Sequence, residues 1–377
     1  MAIFLPCNNC YLLQPVLLGA VVNAPAPSLV TVVNAEFQHD AATIKSAEVA
    51  TYDPPLPPHF RSSPPGPVRF LEFETRIDCS TLCAVDRFRL CSYLFLYAVF
   101  LCLSDCDLGL LLATKFGKGI GKFNKKVVWI TGASSGIGEH LALVLAKAGA
   151  KLVLSARSET NLERVKQKCL GADGVTSEDI LIIPMDVTDF SQHQQHFNKV
   201  LSHFGQLDIL VNNAGRSQRA SWEDIQLDVD KQMFDLNVFG TISLSRIAAR
   251  YFLDRGSGHI AVTSSIAGVL GAPFSGSYTA TKHAIHGYFN SLRREKLGTN
   301  LAITLLCPGP TFSNFLAESF TDKPGEKFGQ PQSATDRRMT TERCAYLSAI
   351  AIANELNEVW MGLFPLYLLC ILLYIVL

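Results

Sequence analysis

Apolar and polar positions change rhythm several times along this chain. From Lys126 to about residue 345, short apolar runs alternate with longer amphipathic segments. The runs "KVVWITGA", "KLVLSAR", "DILIIPMDV", "LDILVNNAG", "HIAVTSS" and "LAITLLCPGP" have apolar residues on both faces, the mark of buried parallel strands. The segments between them are of helix length, and "GEHLALVLAKAGA" shows helical spacing with Gly149 near its end. Strands alternating with helices in this way predict one α/β domain over residues 124–345, a doubly wound parallel sheet covered on both sides.

The flanks follow other rules. Residues 1–88 show no alternation of this kind, and seven of the chain's 18 prolines fall between Pro54 and Pro67, which predicts an extended, disordered leader. Residues 89–123 hold an uncharged run from Leu90 to Ser104, interrupted by Asp105 and Asp107 and resumed by "LGLLLA". A basic collar follows: Lys115, Lys118, Lys122, Lys125 and Lys126. This reads as a short or interfacial membrane anchor beside an anionic lipid surface, with a buried helix as the alternative. Residues 346–377 end in "WMGLFPLYLLCILLYIVL", expected to be a hydrophobic tail anchor or interfacial hairpin, or else a strand and helix capping the core.

Composition adds little beyond this. The 33 basic and 33 acidic residues cancel, so no global field favours nucleic acid. A mean hydropathy of +0.21 agrees with membrane contact somewhere in the chain. Seven of the eleven cysteines precede the α/β region, and Cys169, Cys307 and Cys344 within it lack metal-ligand spacing, so all are read as free thiols.

The chemistry lies at the carboxyl ends of the predicted strands. In "TGASSGIGEH", Gly132, Gly136 and Gly138 form a loop between strand and helix, where backbone N–H groups approach a pyrophosphate; Ser134, Ser135 and Ile137 complete it. The second strand ends Ser155-Ala156-Arg157 with no acid at its tip. A guanidinium there accommodates an adenosine 2′-phosphate, and the expected cofactor is therefore NADPH/NADP+. Asp186 and Val187, and the stretch Asn213-Ala214-Gly215, sit where open α/β sheets bind ligands. Further on, Tyr278 lies thirteen residues after Ser265 and four before Lys282. Lys282 is expected to lower the phenol's pKa, Ser265 to hold a substrate oxygen, and Tyr278 to exchange a proton with it as hydride moves. Asn237, in a helical segment, could link a proton path to Lys282 through water.

Together these motifs resemble the short-chain dehydrogenase/reductase family, in order and in separation, over about 126–345. The resemblance implies a seven-stranded Rossmann domain and a catalytic tetrad of Asn237, Ser265, Tyr278 and Lys282. It also implies nicotinamide contacts near Pro308 and Gly309, with Thr311 or Ser313 holding the amide. Stretches such as "KVVWITGASSGIGE" and "MTTERC" are similar to a membrane-associated branch of the family. That likeness implies an NADPH-linked reductase of steroid, retinoid or other lipophilic carbonyls at the endoplasmic reticulum, and a possible homodimer. A non-catalytic dinucleotide-binding regulator on the same fold is the competing reading.

Overall fold

The computed structural model describes residues 30–37, 44–52, 92 and 105–363, apart from 331 and 334. The proline-rich stretch, the apolar run Leu90–Ser104 apart from Ser92, and residues 364–377 lie outside the described residues. The chain divides into two units, 1–92 and 93–377. In the first, β1 (Val30–Phe37) pairs antiparallel with β2 (Ile44–Tyr52), Val33 opposite Val49. A wholly irregular leader was the expectation; the β-branched run "VTVV" supplies the strand propensity that the proline count conceals.

The second unit is built on seven parallel strands. They are β3 (Val127–Thr131), β4 (Lys151–Ala156), β5 (Ile180–Pro184), β6 (Ile209–Asn212), β7 (Gly258–Thr263), β8 (Leu301–Pro308) and β9 (Glu358–Met361). Their order in the sheet is β5-β4-β3-β6-β7-β8-β9. Strand order reverses at β3, so the crevice between the carboxyl ends of β3 and β6 is the topological switch point.

Apolar side chains alternate between two cores. On one face Val128, Ile130, Leu152 and Leu154 pack under α2 (Gly136–Lys147), α3 (Glu159–Leu170) and α8 (Thr341–Ala353). On the other, Trp129, Val153 and Leu210 meet α4 (His193–Phe204), α6 (Gly240–Arg255) and α7 (Gly276–Glu295). Burying both faces of every central strand removes the polar side that would otherwise face water, which is why the strand sequences carry no alternation.

Two boundaries differ from the expectation. The Rossmann unit continues past residue 345 through α8 and β9, and β9 pairs with β8 at Leu306↔Val359. Hydrophobicity at Trp360 and Met361 therefore reflects a strand in the sheet. The segment from Asp105 also belongs to this unit. Helix α1 (Leu108–Phe116) is capped by Asp107, whose carboxylate accepts from Leu110 N at 2.8 Å and from Trp360 N at 2.6 Å. Asp105 pairs with Arg343 at 2.7 Å, and Cys106 and Leu110 are fully buried. Lys122 of the basic collar pairs with Glu355 at 2.5 Å. Among the described residues no helix is long and apolar enough to cross a membrane.

Candidate active site

A cleft of about 1270 Å³ opens at the carboxyl ends of the strands, room for a dinucleotide with a further ligand beside it. One wall is the loop from β3 to α2. Gly132 and Gly136 hold left-handed backbone, φ +65° and +57°, which glycine adopts without strain. An added Cβ on Gly132 would lie 2.8 Å from Ala214 Cα, and one on Gly138 only 2.4 Å from the Gly132 carbonyl oxygen. The N-cap Ser135 makes no side-chain capping bond, so the first-turn N–H groups of α2 are left for an anion. This cradle fits a pyrophosphate.

The loop is pinned from β6. Asn213 donates from its amide to the carbonyls of Thr131 (3.1 Å) and Gly132 (3.2 Å), and its side-chain oxygen accepts from Thr263 Oγ1 at 3.2 Å. The Thr131 hydroxyl in turn accepts from Asn213 N and Ala214 N. Behind the loop, Glu139 accepts from Arg164 and Lys168, each at 2.7 Å, and Arg164 also donates to Ser134 O at 2.8 Å. The Arg164 hydrogen bond, helped by Lys168, holds the Glu139 carboxyl down at about 2.

Of the residues expected to bind cofactor, Gly132, Ser134, Ser135, Gly136, Ile137, Arg157, Asp186, Val187, Asn213, Ala214, Gly215, Pro308, Gly309, Thr311 and Ser313 all line the cleft, as do Ser265, Tyr278 and Lys282. Gly138 and Asn237 do not. Gly138 acts behind the loop, through the close approach just described. Arg157 is exposed at the tip of β4, and Glu159 lies in the first turn of α3 behind the N-cap Ser158.

Tyr278 and Lys282 occupy one face of α7, one turn apart, both buried. The ammonium lies 5.7 Å from the Tyr278 ring centroid and donates to the Thr263 carbonyl at 2.8 Å. Burial pushes the phenol up to about 12, opposed by the polar Ser265 hydroxyl nearby and by the charge of Arg219. Burial also pulls the lysine down to about 8. The phenol was expected to be lowered by Lys282; burial outweighs the lowering influences around it, and the net effect of its surroundings is a raised pKa. A tyrosine in this environment is firmly protonated at neutral pH.

Asn237 lies in a single π-turn, Asp235–Phe239, of the kind often found at functional sites. Its side chain accepts from Arg216 N (2.9 Å) and donates to Arg216 O (2.9 Å) and Thr281 Oγ1 (3.0 Å). Its amide is therefore engaged in joining the loop after β6 to α7. Gly215 threads between: a Cβ there would lie 3.0 Å from Asn237 Oδ1 and 3.8 Å from Lys282 Nζ.

Several cleft residues escaped the sequence reading. Arg164, Arg216, Arg219, Glu318, Gln332 and Arg338 all line it. Arg216 and Glu318 pair at 3.2 Å, joining the loops after β6 and β8. The polar stretch Asp322–Arg338, which follows β8, contributes Gln332, whose side-chain oxygen accepts from Ser313 N at 3.1 Å. The signal for Arg216 and Arg219 was present in "NAGRSQRA", directly after the Asn-Asn-Ala-Gly turn; that for Arg338 was not, since 119 residues separate it from Arg219.

A parallel seven-stranded sheet, a glycine cradle at its switch point and a Ser-Tyr-Lys group facing the same cleft define a dinucleotide-dependent oxidoreductase fold. The family model described as short chain dehydrogenase matches residues 126–324, and the chain belongs to the short-chain dehydrogenase/reductase family. It is 42% identical over 268 residues to human dehydrogenase/reductase SDR family member 7, covering 70% of this chain and 78% of that protein. A Drosophila melanogaster relative, dehydrogenase/reductase SDR family protein 7-like, is 34% identical over 220 residues, 58% of this chain and 67% of the relative. Among solved structures, a short-chain dehydrogenase/reductase from Burkholderia phymatum in complex with NAD aligns with TM-score 0.58 and 26% identity. It covers 67% of this chain and 93% of the other. An alcohol dehydrogenase from Thermococcus sibiricus complexed with 5-hydroxy-NADP aligns with TM-score 0.54 and 26% identity, over 63% of this chain and 96% of the other.

Proposed function

We propose that this oxidoreductase is a membrane-associated, NADPH-dependent carbonyl reductase acting on lipophilic carbonyls of steroid, retinoid or quinone type. The observation that carries the reading is the convergence of Ser265, Tyr278 and Lys282 on the cleft that the glycine cradle opens into. The Ser265 hydroxyl holds the substrate oxygen beside the phenol. Tyr278, kept neutral by burial, delivers its proton to that oxygen as an alkoxide develops, and an alkoxide is much the stronger base. Lys282, an ammonium below pH about 8, provides positive charge behind the phenolate that results. A reduced nicotinamide held against Pro308, Gly309, Thr311 and Ser313 would supply the hydride. Asn237 keeps the loop after β6 in register with α7 and so holds the cleft's two walls together.

NADPH is favoured over NADH by Arg157 at the cleft edge and by the absence of a carboxylate in Ala156-Arg157-Ser158. Pro308, Gly309, Thr311 and Ser313 form the wall suited to the nicotinamide amide. A lipophilic substrate is supported by Ile266, Leu270, Phe315 and Leu316 in the lining. Membrane association is supported by α1, where Leu108, Leu112 and Phe116 form one stripe at i, i+4 and i+8, exposed by 46%, 48% and 84%, beside Lys115 and Lys118. Location at the endoplasmic reticulum and homodimer formation rest on the family resemblance alone.

The test is NADPH consumption by detergent-solubilised protein with a panel of steroid, retinal and quinone carbonyls, NADH in parallel. Turnover preferring NADPH, and a loss of about 10–100-fold in NADPH kcat/KM for Arg157→Asp, support the reading. Tight NADPH binding with no carbonyl reduced would favour the regulator instead. Flotation with anionic lipid vesicles, weakened by replacing Leu112 and Phe116 with serine, tests the lipid contact; sedimentation of the protein away from the vesicles would sink it.

A further inference from the structure

Arg219 stands out in the cleft because no carboxylate among the described residues answers it. It is half-buried and lines the cleft beside Tyr278, whose phenol feels its charge. Its Nη1 donates to two neutral acceptors, the Gln218 carbonyl at 3.1 Å and the Ser275 hydroxyl. Among the described residues no carboxylate pairs with it, and its remaining N–H donors have no protein partner. A guanidinium that is half desolvated and left without an anion carries an uncompensated cost, which an incoming anion would offset.

The surroundings make the deficit larger. Ser275 is the N-cap of α7, a twenty-residue helix whose positive dipole end has no acidic residue in its first turn. Arg338, also in the lining, adds a second positive charge near Arg219, partly answered by Asp336 at 2.8 Å. The adjacent wall is apolar: Ala267, Leu270, Ala272, Pro273, Phe315 and Leu316. A site for a purely apolar carbonyl compound has no use for a bare cation at this position. One for an amphipathic molecule does.

We infer that Arg219, seconded by Arg338, is an anion-recognising subsite, and that the substrate carries a carboxylate or similar oxyanion beside its reacting carbonyl and an apolar body along the Leu270–Phe315 wall. This rests on the reductase reading for the carbonyl, but the oxyanion site is read from the cleft itself. Arg219 is here a specificity-determining residue: charge-assisted, bidentate hydrogen bonds to an oxyanion are what a guanidinium offers and a neutral ester cannot accept as well.

Binding separates the two claims. Calorimetry on the full chain with saturating NADP+ compares decanoate with decanamide, and turnover compares 2-oxodecanoate with its methyl ester. Decanoate should bind at least tenfold more tightly than decanamide. Arg219→Gln should bring that preference below threefold, Arg219→Lys should keep part of it, and Arg338→Gln should have a smaller effect. NADP+ affinity and melting temperature, measured on each variant, report whether the fold is intact. Should Arg219→Gln misfold, Arg219→Lys and Arg338→Gln decide the matter. Equal binding of acid and amide, no binding of either, or a preference that survives all these substitutions would overturn it. If the carboxylate preference holds while neither 2-oxodecanoate nor its ester consumes NADPH, the reductase reading fails and the anion subsite stands.

Discussion

Gly138 offers the sharpest test of how the cradle is built, because it does not touch the cleft. Substituting alanine would place a Cβ 2.4 Å from the Gly132 carbonyl oxygen and 2.6 Å from Asn213 Nδ2. Such atoms rest at about 3.5 Å, so something must move by roughly 1 Å. Both neighbours are fixed. Gly132 O is backbone in a left-handed turn, and the Asn213 amide is held by the Thr131 and Gly132 carbonyls. Relieving the overlap costs about 1–3 kcal/mol as overpacking, and losing one of the two amide bonds about 1 kcal/mol more. The sum, about 2–4 kcal/mol, lowers the melting temperature by roughly 5–15 °C in a domain of this size. Displacing Gly132 also spoils the loop, so NADP+ affinity should fall at least about tenfold, equivalent to roughly 1.4 kcal/mol. The assay is a nucleotide titration with a thermal melt, run beside Gly121→Ala, where an added Cβ meets nothing within 4 Å. A Gly138→Ala protein with unchanged melting temperature and NADP+ affinity would refute the packing argument.

Two further predictions concern charge. Glu139 has its pKa lowered from 4.5 to about 2 by Arg164 and Lys168, so its stabilising effect is complete above about 4.5 and disappears as pH falls through about 2. Glu139→Gln should cost about 1–2 kcal/mol at pH 7, discounted for the half-exposed cations, with the gap closing towards pH 2; urea unfolding at several pH values reads it, and a pH-independent gap would contradict the assignment. Lys282, lowered to about 8, is an ammonium below that pH and neutral above it. The reduction rate at saturating NADPH should therefore decline as pH rises through about 8, and a flat profile to pH 10 would show that the ammonium is not needed.

The central sheet was legible from sequence because its strands are buried on both faces. Runs such as "VVWIT" and "ILVN" admit no other placement at that length. The cradle was legible because glycine at Gly132 and Gly136 answers a local backbone requirement. What escaped depended on pairs distant in sequence. Asp107 caps α1 and also holds the Trp360 amide, 253 residues away, and nothing local marks either residue as part of the sheet's edge. The short β9, with Glu358 and Trp360 partly exposed between buried Val359 and Met361, reads as the start of an apolar tail until β8 is placed beside it. The phenol's environment escaped for the same reason. Lys282 was visible one turn from Tyr278, whereas burial by the folded cleft and the charge of Arg219, delivered by a different loop, were not.

The most direct test of the proposed chemistry is a single-turnover comparison of wild type with Tyr278→Phe, using NADPH and whichever carbonyl the wild type reduces. Phenylalanine keeps the ring packed against Phe315, 5.8 Å between centroids, and removes only the hydroxyl that carries the proton. The rate should fall by about 10²–10⁴-fold or more, with the NADPH dissociation constant within about threefold of wild type. Retained hydride transfer in Tyr278→Phe would contradict it, and the proton donor would have to be sought elsewhere in the cleft.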